Sequence, residues 1–376
     1  MGLPMKALIF SGIVLAGLAG WNSQAQEKVK PTTTAVSGGF SPAELRAFTA
    51  LDPVDAHAHV WRSDPAFDRM LNRLNVHLLD IVVVNDQEPE QKDLRHESDA
   101  TLNFIRGSGG HAAFCTSIDP YKMGEPGFTA DAIRGLDRDF ARGAVAVKIW
   151  KNIGMQIKDA DGNYVLPDDP ALEPIYKDIA AHNKTLIAHI ADPDSAWAPL
   201  DPASPDYSYY KANTYWYEYG KPHPPSKAQI LLARDHILEQ NPNLRMVGAH
   251  LGSMESNFKM LAQHLDRYPN FAVDMAARIP YLARLPRTEA IAFIVKYQDR
   301  LIYGSDLGFR ATSTLPQTMD HWEEYYARDW RFLATTETVD FAGHTAKGLA
   351  LPDAVLRRLY HENAVHWFPG ILSNAH

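Results

Sequence analysis

The chain has 376 residues, 45% hydrophobic and 22% charged, with a formal net charge of −8. That acidic balance excludes the basic surface that nucleic-acid binding requires, and the length suits one large α/β barrel domain. A single cysteine, Cys115, excludes an intramolecular disulfide and a thiolate zinc cluster.

At the N-terminus Lys6 precedes the apolar stretch Ala7 to Gly20, followed by the small residues Ser23-Gln24-Ala25. This reads as a secretory signal peptide over residues 1–25, cleaved after Ala25. The apolar stretch is shorter than the ~20 residues that span a bilayer, so the expected mature protein is exported, periplasmic or secreted, without a membrane anchor. Residues 26–48, rich in Thr, Gly and Ser from Val29 to Phe40, read as a flexible leader. Residues 49–376 are the expected catalytic domain.

Within that domain, short apolar runs alternate with stretches of helical periodicity. The expected strands are Pro53 to Val60, Leu78 to Val84, Ala112 to Ile118, Ala144 to Trp150, Thr185 to Ile190, Leu244 to Leu251, Phe271 to Met275 and Arg300 to Ser305. Helices are expected at Thr129 to Ala141, Ala171 to His182, Ser226 to Gln240, Ser253 to Arg267 and Arg287 to Tyr297, with a last one from Pro352 toward Tyr360. Ser226 and Gln229 have capping-box spacing. Continuous apolar strands between helices indicate a parallel sheet covered on its faces, and eight such units indicate a (β/α)8 TIM barrel. An open doubly wound sheet is the alternative, but no glycine-rich phosphate fingerprint follows the first strand.

Functional residues of a parallel barrel sit at the C-terminal ends of its strands. The first strand ends in Asp55-Ala56-His57-Ala58-His59, and side chains two apart on a strand share a face. The fifth ends with His189, the sixth with His250 and the eighth with Asp306. Five candidate metal ligands therefore converge on one rim. Most of the 16 histidines have nothing to do with metal. His77, His96, His182, His236 and His264 fall in helices or at their edges, and His111 starts a strand at the far end of the barrel.

His-x-His on strand one, histidines on strands five and six and aspartate on strand eight resemble the amidohydrolase superfamily of metal-dependent barrels. The nearest branch is the amidohydrolase-related group of hydrolases and decarboxylases. The resemblance runs from about Leu51 to Phe368 and includes Glu362-Asn363-Ala364 near the end. It implies His57, His59, His189 and Asp306 as ligands, with His250 binding metal or acting beside it. Lys148, ending strand four, corresponds to a lysine that is sometimes carboxylated and bridges two metals. The other reading of Lys148 is an amine paired with a neighbouring acid or with substrate.

A histidine and carboxylate donor set suits a borderline divalent ion, Zn²⁺ first and Mn²⁺ or Fe²⁺ as competitors, in one or two copies. The expected reaction is metal-assisted hydrolysis of an amide, ester or lactone in a small-molecule substrate. Asp306 takes a proton from water, and His250 polarises the carbonyl or helps hold the nucleophile. Decarboxylation of a carboxylated aromatic is the alternative, and an inactive barrel with a binding role is a remote one. A barrel nuclease would want a glutamate at strand four and a basic surface, which Lys148 and the acidic balance oppose. The long segment from Ala191 to Pro225, with Trp197, Tyr209, Trp216 and five more aromatics, is expected either to cover the site and stack on a ring or to pack on its own barrel or a second subunit. A second segment, Phe309 to Gly348, is expected on the same face with Trp322, Tyr325 and Trp330. Lys151 and Trp216 are candidate substrate-binding residues, and Arg278 and Arg310 are candidate clamps for a substrate carboxylate. A homo-oligomer is compatible with these readings.

Overall fold

The computed structural model describes residues 38–88 and 91–373. The expected signal peptide and most of the expected leader lie outside them. Residues 42–49, at the leader's end, form the helix Pro42–Thr49, capped by Ser41 and Glu44 in a reciprocal pair of hydrogen bonds. Among the described residues no helix is long and apolar enough to cross a membrane.

The barrel strands are β1 Val54–Val60, β2 His77–Ile81, β3 Ala112–Ser117, β4 Ala144–Ile149, β5 Thr185–Ala188, β6 Arg245–Gly248, β7 Phe271–Asp274, β8 Leu301–Ile302 and β9 Leu307–Phe309. All pair in parallel in chain order, and β9 returns to β1. β8 falls within the expected eighth strand, and β9 lies past its expected end at Ser305, joined to β8 by residues 303–306. Through this junction the chain still bonds to β1, with Ala56 N–H donating to Tyr303 O (3.0 Å) and Asp306 N–H to His57 O (2.8 Å). The interruption falls where Asp306 adopts φ +67, a left-handed conformation that aspartate tolerates better than branched residues. His77, expected beside a helix, is the first residue of β2.

The register of β1 on β2 slips between Asp55 and Ala58. Val54 and Ala56 belong to the apolar cluster inside the barrel with Leu79, Ala113, Cys115, Ala146, Ile187 and Val247. Ala58 and Val60 belong to the outer layer between strands and helices. A bulge of this kind reverses which alternate residues face inward. It lets Asp55 face the outer helix Leu315–Ala334 while His57, two residues on, turns to the barrel mouth. The interior cluster also takes in Trp367, Phe368 and Ile371 of the C-terminal segment. Asn363 bonds there to the carbonyls of Gln298 (2.6 Å) and Leu301 (2.7 Å), which gives the Glu362-Asn363-Ala364 segment a structural task at the start of β8.

The outer helices follow the expected pattern with shifted ends. Ser226 and Gln229 make the capping box, and Lys227–Gln240 follows. The helix expected from Ser253 begins only at Phe258, because residues 250–253 all take φ between 56 and 62. The last helix runs beyond Tyr360 to Trp367 through a wider turn at Arg358–Glu362. The second long segment contains the helix Leu315–Ala334 and the hairpin β10 Thr338–Phe341 with β11 His344–Lys347. Its Trp322 packs edge-on to Phe67 (4.9 Å) and its Trp330 to Phe48 (5.7 Å), so these rings are barrel packing, not a cover.

Asp55 holds the seam between the first and eighth strands. Its fully buried carboxylate accepts from His57 N–H (3.1 Å), Ser305 N–H (2.9 Å), the Ser305 hydroxyl and Tyr326 O–H (2.8 Å). Asp55→Ala strands these donors in a dry interior, and urea unfolding should report a loss of about 2–4 kcal/mol.

Candidate metal centre

His57 and His59 project from the bulged end of β1 toward the carboxylate of Asp306. The His57 Nε2 to Asp306 Oδ1 distance is 3.6 Å and the His59 Nε2 distance is 3.4 Å. One donor atom from each of the three lies within 4.8 Å of the others. The His250 ring stands 4.8 Å from that of His57 and 4.3 Å from that of His189, so all five strand-end residues meet. Asp306 keeps 35% of its side chain exposed while His57 keeps 1%, which makes the carboxylate the face of the cluster that solvent and substrate reach.

Hydrogen bonding on the far side of each ring fixes which nitrogen faces the centre. His59 Nδ1 lies 2.7 Å from Ile81 O and His250 Nδ1 lies 2.9 Å from Ala276 O. A carbonyl only accepts, so both Nδ1 atoms carry protons, which leaves Nε2 as the nitrogen that each ring turns to the centre. His57 Nδ1 donates to Asp274 Oδ2 at 2.8 Å, the carboxylate support that metal-binding imidazoles commonly have. His189 Nε2 is buried without a hydrogen-bond partner, 3.4 Å from Asp192 Oδ1. Burial, then the nearby cations, pushes His57 down and His189 well down from the usual histidine range, and burial takes His250 to about 3. Imidazole nitrogens gathered around a carboxylate in this way fit a divalent cation.

Residues 250–253 form a left-handed turn just after β6, a conformation that costs about 1–2 kcal/mol per non-glycine residue. Three bonds hold it: His250 N–H to Asp274 Oδ1 (2.8 Å), the Ser253 hydroxyl to Ala191 O, and Arg234 Nη1 to Gly252 O (2.9 Å). Gly248 has no room for a side chain, since a Cβ would lie 2.7 Å from the Phe271 ring. His250 thus reaches the centre from a turn two residues past the strand. With its Nδ1 proton given to Ala276 O, its Nε2 is free to accept, which suits a ligand or a proton acceptor beside the metal.

Lys148 is fully buried with Nζ 3.1 Å from His57 Nε2. Burial lowers its pKa to about 8, and no carboxylate lies within ion-pair distance of it among the described residues. Lys151 and Trp216 come together, 4.6 Å from ammonium to ring. Lys151 also bonds to both Asp192 oxygens (2.8 Å each) and to Tyr209 O–H (2.9 Å), so its donors are spent within the protein. Trp216 and Tyr210 are buried, whereas Tyr209, Tyr215 and Tyr219 keep exposed surface. The segment over the mouth therefore anchors itself on the barrel with part of its aromatics. Arg278 lies buried near the centre. Arg310 lies apart from it, exposed over the Trp61 ring (4.8 Å) and 3.6 Å from Glu88.

Three carboxylates that organise the site were missed as site residues: Asp274, Asp192 and Asp55. Asp274 closes β7, and its place at a strand end is the signal that marks it, as for the other strand-end residues. Asp192 and Asp55 gave no comparable signal, because the partners that define their roles, Lys151 for one and Ser305 and Tyr326 for the other, are distant in sequence.

A closed parallel barrel with imidazole and carboxylate donors on its C-terminal rim defines a metal-dependent barrel enzyme. The chain belongs to the amidohydrolase family, whose model matches residues 54–370. Solved structures similar to it include a 2,6-dihydroxybenzoate decarboxylase from Rhizobium, with 11% identity over 84% of this chain and 98% of that one and a TM-score of 0.49. A dihydroorotase from Campylobacter jejuni shares 11% identity over 90% and 86%, with a TM-score of 0.44. A 5-carboxyvanillate decarboxylase from Novosphingobium aromaticivorans, in complex with manganese, shares 13% over 84% and 95%, also with a TM-score of 0.44. Comparison with curated proteins returns no match.

Asp274→Asn places an amide where His57 Nδ1–H needs an acceptor, and competition with a chelator should show metal affinity about 10- to 100-fold weaker. Replacing both His57 and His59 with alanine should remove metal and activity together, as read by elemental analysis of the purified protein; retained occupancy would place the ion elsewhere.

Proposed function

We propose that the protein is an exported, metal-dependent hydrolase of an amide, ester or lactone. The observation that carries this reading is Asp306, a solvent-facing carboxylate ringed by imidazoles. His57, His59, His189 and Asp306 would hold the ion, with His250 beside them, and zinc is the first choice for such nitrogen and oxygen donors. When bound, the ion supplies Lewis acidity toward water and toward a substrate oxygen. Asp306 accepts the proton of the attacking water and passes it to the leaving group. His250 offers a second acceptor. The segment 191–225 limits access of bulk water from above, and Asp274 holds the His57 ring still. Lys148, partly a free amine at neutral pH, is suited to carboxylation and hence to a second ion. Export rests on the apolar segment at residues 7–20 and the small residues before Ala25.

Asp306→Asn should lower kcat by about 10³-fold or more while circular dichroism stays unchanged. An active, metal-replete variant would remove Asp306 from the chemistry. Turnover in ¹⁸O water separates the two reaction classes. Hydrolysis puts one ¹⁸O into the product acid, and decarboxylation releases CO₂ and leaves the organic product unlabelled.

A further inference from the structure

Arg278 stands at the end of the turn that leaves β7, and that turn is tied to the metal centre from both sides. Ala276 O accepts from His250 Nδ1–H, and Ala277 N–H donates to Ser305 O at 3.2 Å, one residue before Asp306. Ala277 takes φ +55, an unfavourable conformation for alanine that sets the direction of the next residue. The Arg278 side chain is 14% exposed, and its Nε has no hydrogen-bond partner. Nη1 makes one long bond to Ala277 O at 3.3 Å. Glu255 is its ion-pair partner at 3.9 Å, too far for a hydrogen bond, and Glu255 Oε2 is likewise unpartnered. Glu255 Oε1 goes instead to Lys227 at 3.3 Å, and Lys227 also meets Asp194 at 3.0 Å.

A guanidinium has five donors in a rigid fork, and a buried one normally spends most of them. Here the charge is balanced at a distance while the donors are left over. Lys227, Asp194 and Glu255 stand on one side of the guanidinium, and Asp206 and Asp306 act on it from further off. A carboxylate matches the fork in shape, bonding to two N–H groups at once. Arg310, exposed and stacked on Trp61, lacks this burial.

We propose that Arg278 receives a carboxylate of the substrate, and that the substrate is therefore an amide, ester or lactone bearing a free carboxylate away from the bond that is cleaved. The inference rests on the hydrolytic reading for its reaction but on Arg278 alone for its ligand class. Among the described residues no metal-centre carboxylate lies within ion-pair distance of the guanidinium, although the Asp306 charge acts on it, which places the anion beside the reacting carbonyl instead of on it.

The test compares the metal-loaded enzyme on matched pairs of amides, esters and lactones, one member of each pair carrying a carboxylate and the other a carboxamide. The wild type should favour the carboxylate member in kcat/KM, and Arg278→Met should reduce that ratio about 10- to 100-fold. Arg278→Lys, which keeps the charge and loses the fork, should fall between. Hydrolysis without a carboxylate preference, or with one that survives in Arg278→Met, overturns the proposal and leaves the hydrolytic reading intact. If no pair is hydrolysed, binding of benzoate and succinate against benzamide to metal-stripped protein decides. Carboxylate-selective binding lost in Arg278→Met supports the anion site and counts against hydrolysis. No selective binding overturns the anion site.

Discussion

One carboxylate, that of Asp274, sets the geometry of the centre. Its Oδ2 holds the His57 ring at the end of β1, and its Oδ1 takes the backbone N–H groups of His250 (2.8 Å) and Ala276 (3.1 Å). Three segments are thus fixed by two oxygen atoms that no solvent reaches. Burial opposes ionisation of Asp274, yet His57 and its other partners hold it below the usual carboxylate range. A charged acceptor in a dry site makes stronger hydrogen bonds than a neutral one, which offsets the cost of the left-handed turn after β6.

The barrel and the five strand-end residues were legible in the sequence because each rests on local pattern. An apolar run, a helix-like stretch and a polar residue at the strand end are visible within a window of a few residues. The resemblance to amidohydrolases rested on the same positions. What was not legible is the bulge in β1, the split of the eighth strand and the turn at residues 250–253. Each depends on contacts between distant segments, such as Asp55 with Tyr326 and Asp274 with His250. The aromatic segments show the same limit. Composition alone could not tell Trp322, packed on Phe67, from Tyr209, whose ring keeps an exposed edge near the mouth.

The long segment after β5 is fastened to the barrel by one buried ammonium. Lys151 follows β4, Asp192 follows β5, and Tyr209 and Trp216 belong to that segment. A lysine excluded from water is costly unless paired, and here an ion pair, a hydroxyl and aromatic faces supply the compensation. Asp192 also stands beside His189, so the fastening of the segment and the edge of the metal centre share a side chain. Its consequence is mechanical: this end of the segment cannot lift without exposing the Lys151 and Asp192 pair.

The split eighth strand carries a consequence for assembly. Asp306, the carboxylate that faces both His57 and His59, sits in the junction that closes the barrel against β1, and it is also the last of the five strand-end residues in the chain. Until that seam zips shut, His57 and His59 lack the carboxylate that faces them both. An incompletely folded chain therefore offers metal ions an incomplete donor set, and the full set exists only in the finished barrel. Ring closure acts as the quality check on cofactor acquisition.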